Sequence, residues 1–119
     1  MAKKFSRPTL AEIAHKYLGM HKQRVRAADY EKLQDLFTRT LMRTRDGEEI
    51  RAALALDTHR NLPVQMKSPA YERLLTLEGR NIRLLREYAQ EMYEFGPEFA
   101  DYADRLWVEA KQLEEQAGG

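Results

Sequence analysis

The chain contains no cysteine, which excludes a disulfide framework and any thiolate-held metal. It has no apolar run approaching the roughly 18 residues a membrane span requires. Its start, MAKKFSRP, lacks the apolar segment of a secretory signal. The expected address is therefore the cytoplasm, with no membrane association. Histidine is scarce, and His15, His21 and His59 lack the i,i+4 or HExxH spacing of a metal site, so they are read as surface or capping residues. Strand-type alternation, repeats of 20–50 residues and low-complexity runs are also missing. No residue constellation points to a catalytic mechanism. The expectation is a protein that is not an enzyme, with no cofactor and no metal.

What is present is helical material. The 119 residues are 43% hydrophobic and 33% charged, a balance that suits one folded, helix-rich domain and is too apolar for a disordered chain. The net charge of +1 conceals a division. Residues 1–45 carry eleven Lys or Arg against four Asp or Glu, whereas residues 46–119 carry nine against fifteen. A basic first third joined to an acidic remainder points to one end that faces a polyanion.

In chain order, residues 1–8 form a basic arm ending at Pro8. Thr9 and Glu12 fit a capping box, and Leu10, Ile13, Ala14, Tyr17 and Leu18 share one face of a helix of about ten residues. Gly19 is placed to end that helix in the left-handed conformation. A second helix is expected from His21 to about Ala28. A third follows from about Tyr30, with Leu33, Leu36, Phe37, Leu41 and Met42 at helical spacing, until Thr44–Gly47 breaks the pattern.

Residues 46–67 read as a short helix, capped by Asp46 with Glu49, and then the longest loop, 57–67. Ser68–Pro69 has the form of a helix start, and the longest helix is expected from there to about Phe95. Within it Asn81 is either a polar residue of a helical seam or an exposed one beside it. Gly96–Pro97 stops this helix and opens the last, where Phe99, Ala103, Leu106, Ala110, Leu113 and Ala117 make a heptad seam. Residues 68–117 are thus expected to form an antiparallel hairpin. Trp107, Tyr102, Tyr88, Tyr93 and Phe95 are its aromatic packing, or alternatively a surface for a partner. The arginine row Arg73, Arg80, Arg83 and Arg86 reads as a solvated face paired with Glu72, Glu87 and Glu91. Its alternative, a dicarboxylate site in a small helical enzyme, is the weaker reading. The fold expected is all-α, with about five helices.

The stretch Thr9-Leu10-x-Glu12-Ile13-Ala14 followed by Leu18-Gly19-Met20 and Val25-Arg26 resembles the bacterial helix-turn-helix DNA-binding family. Ala14 stands where that family needs a small residue at the helix crossing, Gly19 where it needs the turn, and Val25 where it buries an aliphatic side chain. The Ala14-to-Gly19 spacing is one residue longer than the family pattern. The resemblance implies that the second helix enters the major groove of duplex DNA. His21, Lys22, Gln23 and Arg26 would face base edges, with Arg24 and Lys16 on phosphates. It further implies a small transcriptional regulator or mobile-element accessory factor, acting as a homo-oligomer through the C-terminal hairpin. The alternative of a different class is a helical interaction module, or inhibitor, whose basic face docks on an acidic protein partner.

Overall fold

Thr9 begins the first helix as its residue pattern requires. Its hydroxyl accepts the Glu12 amide at 3.1 Å, and its own amide donates to the Glu12 carboxylate at 2.8 Å, closing a capping box over α1 (Leu10–Gly19). The structure is a computed structural model. It describes residues 7–118, except for the side chain of His21; Lys3 and Lys4 of the expected basic arm lie outside the described residues.

Five further helices follow: α2 (Ala27–Arg43), α3 (Gly47–Ala55), α4 (Val64–Glu78), α5 (Ile82–Phe95) and α6 (Ala100–Gly118). Short 3-10 turns stand at Met20–Lys22 and Pro97–Phe99, and no strand occurs among the described residues. The molecule is all-α. α1 packs on α2 and α3, these two pack on α4, α4 packs on α5, and α5 and α6 form the closest pair. One contiguous core runs through all six helices, from Leu10, Ile13 and Phe37 at one end to Leu85, Tyr88, Leu106 and Ala110 at the other. The assembly measures 55 × 37 × 20 Å, about two helix diameters thick.

The structure corrects four expectations about elements. First, Gly19 does not take the left-handed conformation; at φ −80°, ψ −16° it keeps turning right-handed into the 3-10 turn, which buries Met20. Second, residues 21–28 do not form a helix. After Lys22 the chain is extended, with Gln23 at φ −127°, ψ 160° and Arg26 at φ −87°, ψ 158°. α2 starts only at Ala27, where the Arg26 amide donates to Asp29 Oδ2 at 3.2 Å.

Third, Ser68–Pro69 is not a helix start. α4 begins a turn earlier at Val64, with Pro69 inside it, because this placement buries Met66 and Lys67. The proline removes one helical hydrogen bond, but the carbonyl left over, four residues back, belongs to exposed Gln65 and water can serve it. Fourth, the helix expected over residues 68–95 is broken at Gly79–Asn81. Gly79 sits at φ 90°, ψ 159°, and Asn81 is neither a seam residue nor idle: its Oδ1 accepts the Leu84 amide at 2.9 Å as the cap of α5. The C-terminal region therefore holds three helices, α4 and the α5–α6 hairpin, and the described residues hold six α-helices.

Candidate nucleic-acid interface

The six residues singled out in the sequence lie at or near one connection. Lys16 is exposed on the last turn of α1, and Lys22 ends the 3-10 turn. Gln23, Arg24 and Arg26 lie on the extended segment and are all exposed. His21 contributes its backbone to the 3-10 turn; its side chain lies outside the described residues. In an extended chain alternate side chains point to opposite sides. Val25 turns inward, half-buried against the core, and this directs its neighbours Arg24 and Arg26 outward. The connection is braced from behind by Tyr17, which meets Tyr30 edge-on with ring centroids 5.2 Å apart and accepts from Gln34 Nε2 at 3.2 Å.

The charges of the two halves are used differently. Beyond residue 46, six of the nine cations are committed within the molecule by ion pairs or hydrogen bonds, Arg83, Arg105 and Lys111 being the exceptions among the described residues. Arg51 bonds Glu78 bidentately, and Arg80 holds Glu109 with contacts of 2.5 and 2.8 Å. Arg86 reaches Glu114 at 3.0 Å and covers the Trp107 ring, 5.5 Å from its centroid. Arg73 donates twice to the Thr44 carbonyl, at 3.0 and 2.8 Å, closing the end of α2. Of the row, Arg73, Arg80 and Arg86 thus take partners other than Glu72, Glu87 and Glu91, and Arg83 is exposed with no ion pair among the described residues. The Arg51 guanidinium holds the Glu78 carboxyl below its usual range, and Arg80 does the same for Glu109.

Lys67 is 5% exposed. Its Nζ lies 2.9 Å from Asp57 Oδ2 and 2.7 Å from Glu91 Oε1. Asp57, with a side chain 1% exposed, also accepts the Asn61 and Leu62 amides at 2.6 and 3.1 Å. This cluster pins the loop before α4 onto α5, so the stretch expected as the longest loop is anchored from inside. A cavity of about 330 Å³ opens beside it, but the Lys67 and Asp57 groups facing it already satisfy each other.

By contrast, Arg7, Lys16, Lys22, Arg24, Lys32, Arg39, Arg43 and Arg45 have no ion pair among the described residues. All of them are exposed. Arg26 has only Asp29, at 3.9 Å. The basic third of the chain leaves nearly all its charges to the solvent, whereas the acidic remainder pairs most of its cations internally.

The aromatic cluster divides. Tyr88 is buried and stacks on Tyr71, a residue the sequence pattern did not single out, with centroids 5.1 Å apart; it meets Tyr102 edge-on at 5.7 Å. Hydroxyls run Ser68–Tyr88 at 2.5 Å, Tyr88–Tyr102 at 3.2 Å, and on from Tyr102 to Glu72. Burial raises the Tyr71 and Tyr88 phenols well above their ordinary range. Trp107 and Tyr93, expected in the same packing, stand on the surface instead.

No group of three or more His, Cys, Asp or Glu among the described residues is placed to hold a metal ion. No helix among them is long and apolar enough to cross a membrane. The sequence matches no family model, no curated protein and no solved structure.

Proposed function

We propose that this is a small DNA-binding protein whose basic end, centred on Lys16, Lys22, Gln23, Arg24 and Arg26, lies on the phosphate backbone of duplex DNA. The observation that carries the reading is the asymmetry of charge use. Neutralising phosphates requires cations that are not already paired, because released counterions supply the driving force, and these cations are concentrated in the first third. The extended segment suits backbone contact: Val25 anchors it, while Arg24 and Arg26 project from the opposite side. A recognition helix is absent from residues 23–26, so sequence reading by a helix laid in the major groove is not part of the proposal. Gln23 is the one outward side chain here that could bond an adenine edge in two places.

The test is a salt titration of binding to a random-sequence duplex, read by fluorescence anisotropy. Affinity is expected to fall steeply with salt. Replacing Lys22, Arg24 and Arg26 together by Ala should flatten the log–log slope by about 2–3, at about 0.9 per phosphate contact. A salt-independent affinity, or a slope the triple variant leaves unchanged, would sink the reading. A second reading, docking on an acidic protein, is favoured by the same absence of a recognition helix. It predicts no duplex binding, with a co-purifying acidic protein lost in the triple variant.

A further inference from the structure

One flank of the α5–α6 hairpin is covered by α4, and the other is bare. α4 reaches α6 through Glu72, which accepts from Tyr102, and the break after α4 reaches it through Arg80 and Glu109. Trp107 lies about 150° further round α6. There it is 45% exposed, beside Val108 at 52%. On a helix that already buries Ala103, Leu106 and Ala110, these two adjoining large apolar side chains form the exposed apolar centre of a second stripe, since steps of three and four return to one helix face.

The stripe has a particular order. Ala100, Asp104, Trp107, Val108, Lys111 and Glu115 follow one another at spacings of three and four about the central pair. Its acid precedes the Trp–Val pair by three and four residues, and its base follows by the same steps. Lys111 has no ion pair among the described residues, and Asp104 accepts only the Tyr93 hydroxyl from the neighbouring helix. Tyr93 and Arg86 of α5 flank the stripe, Tyr93 by bonding Asp104 and Arg86 by lying over the Trp107 ring at its centre.

From this order we infer that the bare flank is a self-docking surface, and that its occupant is the same stripe of a second copy, running antiparallel. With a two-fold axis between Trp107 and Val108, Trp107 of each copy lies on Val108 of the other. Asp104 of each copy then faces Lys111 of the other, so the charge pair forms twice, and Ala100 faces Glu115. A parallel pairing would set Asp104 against Asp104 and Lys111 against Lys111, which is repulsive. The antiparallel arrangement aligns two hairpins into a four-helix layer at the shallow crossing typical of such packing. An isologous contact of this kind closes at two copies. It leaves both basic ends free, and it stands whether or not those ends bind DNA.

The experiment is sedimentation velocity on the full chain without DNA, over about 1 µM to about 1 mM, with four proteins. Wild type is expected to dimerise. Asp104→Lys and Lys111→Asp should each weaken the dimer at least about tenfold, because a like-charge pair replaces each of two attractive ones. The double exchange Asp104→Lys with Lys111→Asp should bring the dissociation constant back to within about threefold of wild type. Both positions are exposed, and unchanged helical circular dichroism confirms that each variant is folded. A monomeric wild type, single exchanges without effect, or a double exchange that fails to rescue would overturn the inference.

Discussion

Lys67 is a buried cation on which two carboxylates, Asp57 and Glu91, converge. A buried ammonium held by two carboxylates contributes little net stability over an apolar replacement of all three groups, but removing one member leaves charge without a partner. Lys67→Ala should therefore cost about 3–5 kcal/mol, measured by urea unfolding, whereas Arg60→Ala should cost under about 1 kcal/mol. Arg60 is exposed and stands 3.8 Å from Glu91. A Lys67→Ala variant as stable as wild type would mean that Asp57 and Glu91 find other partners or water.

A second test at this scale uses pH. Arg80 lowers the carboxyl pKa of Glu109 in the folded protein. The resulting stability is complete above the unfolded value, about 4.3, and is lost as pH falls through the depressed folded value. The stability difference between wild type and Glu109→Gln is thus expected to be present at neutral pH and to shrink only below about pH 4.3. Thermal melts at stepped pH values check this, and a difference that persists unchanged in strong acid would show that the carboxylate charge is not its source. None of these pairings was legible in the sequence. Lys67 and Glu91 are 24 residues apart and Arg80 and Glu109 are 29 apart, so no local spacing rule connects them.

At the level of elements, some signals that act within one helical turn held and others did not. Thr9–Glu12 caps α1 and Gly96–Pro97 separates α5 from α6, while Asp46 caps α3 by accepting the Glu48 amide at 3.0 Å rather than in a box with Glu49. The failures share a cause: a local preference opposed by burial elsewhere. Ser68–Pro69 has good starting chemistry, but beginning α4 there would leave Met66 outside the core and Lys67 away from Glu91.

Apolar periodicity through residues 74–92 hid the break at Gly79–Asn81, because α4 and α5 both face the same core and their patterns nearly join. The conformation of Gly79 is one that only glycine adopts readily. A Cβ there would meet no atom within 4 Å, so any cost of Gly79→Ala is backbone strain, expected at about 1–3 kcal/mol. Asn81→Ala, which removes the cap of α5, should cost about 1 kcal/mol. Chemical denaturation of the two variants separates these effects. A fully stable Gly79→Ala protein would imply that α4 and α5 can merge into one continuous helix.

At the scale of the whole molecule, the division of charge seen in the sequence becomes a division of labour. The acidic portion binds most of its own cations and builds the α4–α5–α6 platform; the basic portion caps that platform and keeps its charge available. If the proposed DNA contact is right, raising salt should weaken duplex binding much more than fold stability. The fold rests on short, partly covered pairs and apolar burial, which are screened less than exposed charges. Comparing the duplex-binding slope with urea midpoints across the same salt series checks this, and a parallel loss of both would point to unfolding rather than to screened phosphate contacts.

The sequence by itself determined the helical class, the main capping residues, the buried faces of the helices and the basic character of the first third. Each of these depends on residue types and on spacings of three, four or seven positions, which no distant contact needs to complete. Tertiary structure alone decided which charges are spent internally, where α4 begins, and that residues 23–26 are extended rather than helical. It also decided that Trp107 and Val108 remain on the surface. In these cases the deciding neighbours come from other elements of the fold, and burying Met20, Met66 and Lys67 outweighed the local preference that the sequence pattern displays.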